Sequence, residues 1–371
     1  MKTHLFVLFI FTINALHAQQ IINIEKNITK GEDINLSFIA KSVRYIPLET
    51  NRTVLLSDEL QVYHTTDYIF IGDQQTNLFY RFDKDGKFMN TIGKKGGGPG
   101  EYAQALFFFI DENLNDFYII GTQEKALYVY DFSGKFKRKI ELTESPWAIN
   151  KSGENFVFYN NRFNRIKNAN NINELFLADK NGKLVQSTPT SIKDEELDMM
   201  LFELPFFYTY NNRLFYKNPL IDKVFQIDNN LNLKPVYEIR TGSKPVKPDP
   251  ANLKLLAERI SIRAIFENDA FRLITYTYKD DFNYQIVYKD SWKTERCGKS
   301  KSGFHDDFNN GPLFRPYWQS QSRQHVLISL LTNEDIEKQK QLFENISKKQ
   351  TTLANRQTDD NPILAIAELN E

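Results

Sequence analysis

The chain has a single cysteine in 371 residues, Cys297, so no internal disulfide can form and stability must come from packing. Nothing near Cys297 resembles an activating pair, and it reads as a small buried hydrophobe rather than a reactive thiol. Charge of one sign is also lacking. Lys plus Arg and Asp plus Glu each number 47, which leaves no basic excess to mark a nucleic-acid or membrane-surface binder. Beyond the N-terminus no stretch approaches the roughly 18 apolar residues of a membrane helix. Histidine is scarce at five, and two of these, His4 and His17, lie in the N-terminal leader. No nucleophile elbow or other catalytic signature is present, so no catalytic residue and no cofactor is expected.

What is present begins with that leader. Lys2 precedes the apolar run Leu5–Ile13, and Ala15-Leu16-His17-Ala18 supplies small residues before Gln19. This is the layout of a secretory signal peptide over residues 1–18, with the exact cleavage bond left open. No cysteine follows the cleavage region, so export without a lipid anchor is expected, to the periplasm or the cell surface. Residues 19–371 then form one domain, rich in Phe (30) and Tyr (18), which suit strands packed between sheets.

An internal repeat gives that domain its architecture. Leu78–Phe88, Leu127–Phe136 and Leu175–Leu184 each read as strand, Asp-x-x-Gly turn, strand, and Gly86, Gly134 and Gly182 are spaced 48 and 48 residues apart. A weaker fourth copy, Val224–Leu233, falls almost in step. Glycine supplies the positive φ that a short hairpin needs, and aspartate caps the turn. Two further strands precede each copy, and four antiparallel strands in about 40–50 residues is the signature of a propeller blade. Blades over 58–93, 103–143, 146–188 and 204–241, a fifth from Ile260 to a strand near Thr294, and one over 314–369 make six, but the last has only three strands of its own. Val43–Leu48 has no blade and is expected to supply the missing outer strand, closing the ring. Pro47 is tolerable there, because an outermost strand can spare one amide. The fold class expected is therefore all-β: a six-bladed β-propeller closed by its N-terminal strand.

Several stretches carry a resemblance. Tyr45-Ile-Pro-Leu-Glu49, Gly93–Tyr102, the Asp-x-x-Gly-Lys turns and Asn361–Leu369 are similar to the six-bladed, NHL-like propeller proteins of Bacteroides-type bacteria. The resemblance implies the fold over nearly all of residues 19–371 and brings no active site with it. Many relatives look like lipoproteins, and this chain departs from them in lacking the cysteine.

Loop lengths are unequal between the two faces. Turns between first and second and between third and fourth strands are short throughout. The other connections carry the insertions, near 160–173, 194–202, 249–260, 299–312 and 333–361. Binding function concentrates on such loops, so the long-loop face is the expected site. Candidate ligand-binding residues there are Lys95, Glu101 and Tyr102, then Arg162, Phe163, Arg165 and Lys167, then His305, Asp306 and Arg315. The basic-aromatic loop would suit an acidic sugar or a partner's carboxylates. Gly96–Glu101 lacks the Lys-Ser/Thr and helix of a phosphate loop, and reads as a tight reversal with Glu101 anchoring amides. His305–Gly311 could offer oxygens to a cation but lacks calcium-loop spacing, and reads as a solvated acidic loop. His64 and His325 fall on the face opposite His305, so a three-histidine zinc site is not expected.

Helices are expected near 250–259 and 334–348, the second capped by Thr332 with Asp335 and packing Ile336, Phe343 and Ile346. Residues 350–361 have little apolar content and are expected to be a mobile excursion. The function expected is a non-catalytic binding or scaffold protein engaging a glycan, peptide or protein through the long-loop face. A hydrolase or lyase using carboxylates and tyrosine there is the alternative.

Overall fold

The computed structural model describes residues 20–28, 32–121, 124–144, 146–160, 173–189, 205–218, 220–246, 258–279, 281–290, 294–298, 303–320 and 322–370. The chain is all-β. Six sheets of four antiparallel strands follow one another, here called I to VI: 60–92, 107–141, 146–189, 206–240, 261–298 and 316–369 with 40–47. In sheet I the strands are Leu60–His64, Tyr68–Asp73, Leu78–Asp83 and Phe88–Ile92, each paired with the next. Sheet VI draws on both ends of the chain. Its outer strand Ala40–Pro47 pairs antiparallel with Ile363–Leu369, as expected, in the register Tyr45 to Ala365 and Pro47 to Ile363.

The strand sequences alternate between two neighbours instead of between core and water. Ile69 and Ile71 pack toward sheet VI while Phe70 packs toward sheet II. Phe117 and Ile119 face sheet I, and Tyr118 and Ile120 face sheet III. Both faces are therefore dry, which is why these strands read as continuous apolar runs. Six buried clusters result, each shared by two successive sheets. The cluster containing Ile46, Val62, Tyr80, Ile328 and Leu364 joins sheet VI to sheet I.

The repeated turns lock each sheet to the one before it. Asp83 Oδ1 accepts from the amides of Asp85 and Lys87, both at 2.9 Å, and Asp131, Asp179 and Asp228 hold the same two positions in their own turns. Gly86, Gly134 and Gly182 have φ of +86°, +88° and +86°. A Cβ on Gly86 would stand 2.3 Å from the Pro47 carbonyl of sheet VI, and one on Gly182 2.1 Å from the Glu141 carbonyl of sheet II. Glycine is required there twice over, by conformation and by approach. The fourth copy places Leu231 in the same left-handed region, at φ +63°.

Three features depart from the sequence reading. The N-terminal segment does more than supply one strand: Gln20–Asn23 adds to sheet IV in parallel with Leu233–Arg240, and Ile34–Asn35 joins Phe304–Asp306 and Gly311–Phe314 in a small three-stranded sheet. Residues 350–361 are held in place. A short helix, Thr351–Ala354, buries Leu353, and Arg356 donates to the carbonyls of Asp360 and Asn361. The expected 334–348 helix breaks at Gln339 into Asn333–Lys338 and Lys340–Ser347, with Gln339 Oε1 accepting from the Leu313 amide at 2.8 Å. Its Thr332–Asp335 capping box is present, and Ile346 is buried with Ile336 and Phe343 beside it. The expected helix near 250–259 lies largely outside the described residues, and the expected signal peptide over 1–18 lies wholly outside them.

Candidate functional site

The first strands of successive sheets touch one another, which draws the turns that follow them toward one another on one face. That face carries the short turns. Three of them, from sheets IV, V and VI, wall a cavity of about 580 Å³. Sheet IV contributes Tyr210, Asn211 and Asn212, sheet V Asn268 and Asp269, and sheet VI Ser322, Arg323, Gln324 and His325. Asn211 and Asn212 have φ of +49° and +56°, the two positive values of the tightest hairpin turn, and asparagine tolerates them better than most residues.

Polar contacts fix the walls. Tyr210 donates its hydroxyl to Asp269 Oδ1 at 2.5 Å, and the Lys289 ammonium lies 3.7 Å from the centre of the Tyr210 ring. Burial and the neighbouring Asp269 push the Tyr210 hydroxyl up to about 12. Arg323 donates to Glu368 at 3.0 Å, and His325 and Lys41 stand 3.4 and 3.6 Å from the same carboxylate. The Asn211 amide reaches Gln324 Oε1 at 3.4 Å, tying sheet IV to sheet VI.

Beneath this cavity lies a buried ionic cluster. Glu267 is 1% exposed and faces Arg272 at 2.8 Å and Lys289 at 3.1 Å. Arg272 stacks 4.6 Å from the Tyr237 ring, whose hydroxyl meets that of Tyr208 at 2.7 Å. Burial holds Lys289 below the usual lysine range despite Glu267, and raises Tyr208 well above the usual tyrosine range. A second cavity, about 240 Å³, runs along the first strands and is lined by Tyr63, Phe107, Phe109 and Phe207 with Gln61 and Asn150.

The described residues among those singled out from the sequence do not assemble into one site. Tyr102 is fully buried between sheets I and II and donates to the Asn77 carbonyl. Glu101 accepts from the Gly98 amide at 2.9 Å and pairs with Lys94, the amide-anchoring role expected for it. Lys95 bridges to Tyr102 through its backbone and reaches the Thr76 carbonyl. The His305–Gly311 loop is not simply solvated. Asp306 is 2% exposed, accepts from the Tyr45 hydroxyl at 2.6 Å and caps Phe308 and Asn309, while His305 stands 3.9 Å from Asp33. Arg315 binds Asp335 at 2.8 Å. Arg162, Phe163, Arg165 and Lys167 lie outside the described residues.

His64 and His325 do not meet. His64 is buried between sheets VI and I against Ser320. Among the described residues no group of three or more His, Cys, Asp or Glu side chains could hold a metal ion, and no helix is long and apolar enough to cross a membrane. Tyr210, Asp269 and Arg323 were missed because each sits in a short turn whose polar residues look like those of any hairpin.

The model of a family described as a domain of unknown function, DUF4934, matches residues 19–368. Among solved structures, a protein of Bacteroides fragilis NCTC 9343 thought to be exported aligns with a TM-score of 0.72 at 16% identity, over 95% of this chain and 99% of its own. A member of the DUF4221 family from Bacteroides vulgatus ATCC 8482 aligns with a TM-score of 0.56 at 12% identity, over 89% and 97%. Both likenesses are of fold. No curated protein matches the chain.

Proposed function

The chain belongs to the DUF4934 family, and for it we propose an exported, closed six-bladed β-propeller of one domain that binds a ligand without transforming it. Two observations support the ring. The succession of shared cores includes one between sheet VI and sheet I, and sheet VI is completed by the N-terminal strand. A sheet closed in this way has no free edge at its seam. The leader over residues 1–18 supports export, to the periplasm or the cell surface.

The observation that carries the binding reading is the cavity on the short-turn face. Its volume lies in the range of small-molecule sites, and three separate sheets supply its walls. Those walls are held by the Tyr210–Asp269 and Arg323–Glu368 contacts, so the site is formed before a ligand arrives. The long-loop face, first choice on loop length, contributes described candidates that are already engaged internally. Its basic loop at Arg162, Phe163, Arg165 and Lys167 remains a proposed auxiliary contact for an acidic partner.

The test is a thermal-shift screen of the full chain against glycans, peptides and candidate partner proteins, with product analysis on every hit. The reading predicts a raised melting temperature with the ligand recovered unchanged. Turnover of the ligand would replace it with the hydrolase or lyase alternative.

A further inference from the structure

We propose that the cavity between the turns of sheets IV, V and VI is a subsite for a neutral saccharide, with Tyr210 as its stacking platform. The inference rests on the binding reading above and names the ligand class of that same site.

The chemistry of the lining carries it. Asn211, Asn212, Asn268 and Gln324 are primary amides; Asn268 Oδ1 already accepts from the Ala270 and Phe271 amides and Gln324 Oε1 from the Asn211 amide, while the Asn211 and Asn212 side chains offer a donor and an acceptor on one rigid plane. A sugar hydroxyl is both donor and acceptor, so an amide can satisfy it in either sense. A ligand bearing many hydroxyls can therefore use such a wall. Ser322 adds a hydroxyl, and Asp269 retains acceptor capacity beyond its one bond from Tyr210.

Charge points the same way. Arg323 is paired with Glu368, and Asp269 accepts a hydrogen bond from Tyr210 while keeping its negative charge. An anionic ligand would meet that charge and compete with Glu368 for Arg323; a neutral one leaves both contacts in place. Among the described residues the lining holds no aliphatic side chain, so a peptide would find no pocket there for an apolar anchor.

Tyr210 supplies the remaining element. Its ring is fixed at one end by the bond to Asp269 and backed by the Lys289 ammonium. Lys289 is itself held by Glu267 and by the Asn268 carbonyl at 3.0 Å. A tethered aromatic ring beside planar polar groups can receive the C–H face of a pyranose while the amides take its equatorial hydroxyls. The buried cluster of Glu267, Arg272 and Lys289 is thus a support that orients the platform.

The experiment is saturation-transfer NMR and calorimetric titration of the full chain with cellobiose, maltose, xylobiose and N-acetyllactosamine. At least one is expected to bind. Tyr210→Phe keeps the ring and should bind within about threefold of the native chain, whereas Tyr210→Ala should weaken binding at least about tenfold. Asp269→Ala alters an exposed side chain and should weaken binding with little change in melting temperature, so a folding defect at Tyr210 does not decide the outcome. Binding unaffected by Tyr210→Ala and Asp269→Ala overturns the proposal, even if a saccharide binds elsewhere. If none of the four sugars binds but a peptide or protein does, the saccharide proposal fails and the binding reading stands. Conversion of a sugar to product would overturn the binding reading itself.

Discussion

His64 makes the seam between sheets VI and I sensitive to acid, by an amount that follows from its surroundings. His64 is 2% exposed, lies on the same strand as Val62 of the cluster that joins the two sheets, and meets Ser320 beside sheet VI. Ser320 Oγ donates its only proton to the His64 carbonyl at 2.9 Å, so at 3.1 Å it must accept from Nδ1, which therefore carries the hydrogen. Nε2 is left as a bare acceptor, buried without a partner among the described residues. A proton added there would place a charge in an apolar seam. Burial first, then Arg44 and Arg323, push the imidazole down from 6.5 to about 4. The folded state thus binds its proton later than the unfolded state does. Stability attributable to His64 is intact above pH 6.5, falls as pH drops below that value and has been lost by about pH 4.

At about 1.4 kcal/mol per pKa unit the loss is about 3 kcal/mol. The assay is urea unfolding of the native chain and His64→Leu, with the difference between them followed from pH 7.5 to 4.5, which cancels the other titrating groups. The difference should shift by about 2–3 kcal/mol in favour of the leucine variant as pH falls. A difference independent of pH would refute the reasoning, as would an NMR titration showing the His64 ring protonating near its ordinary value.

Three further perturbations have stated outcomes. Gly86→Ala should cost at least about 1–2 kcal/mol by denaturant titration, from its left-handed φ alone and more from contact with the Pro47 carbonyl, whereas Gly97→Ala, with nothing within 4 Å, should be nearly silent. Removing residues 1–47 takes away the outer strand of sheet VI and should abolish cooperative melting. Removing only 1–39 keeps that strand but strips Ile22, Ile24, Ile34 and Leu36 from two cores, and should lower the melting temperature while leaving one transition. Glu267→Gln removes the carboxylate that Arg272 and Lys289 both face, and should cost about 3 kcal/mol in equilibrium unfolding.

The sheets were legible in the sequence wherever a local rule repeats. The Asp-x-x-Gly turns announced themselves because glycine at a left-handed φ and aspartate capping two amides are local requirements, met in the same order three times. The outer strand of sheet VI was legible by elimination, from one blade lacking a strand and one strand lacking a blade. Short pairings had no such rule. Gln20–Asn23 and Ile34–Asn35 are four and two residues long, and what recruits them is the exposed edge they cover. Residues 350–361 misled because apolar content overlooks what one buried Leu353 and one carbonyl-capping Arg356 can hold. Loop length directed attention to the face opposite the polar cavity. Tyr210, Asp269 and Arg323 are more than a hundred residues apart at their extremes, and only the succession of sheets brings them together.

The most direct test of the account is a crystal structure of the chain grown with the tightest-binding saccharide. The account predicts sheet VI closed on sheet I through Ala40–Pro47, with one sugar ring stacked on Tyr210 and its hydroxyls within hydrogen-bond reach of Asn212 and Asp269. An open seam, or a sugar seated on the long-loop face with the Tyr210 cavity vacant, would contradict it.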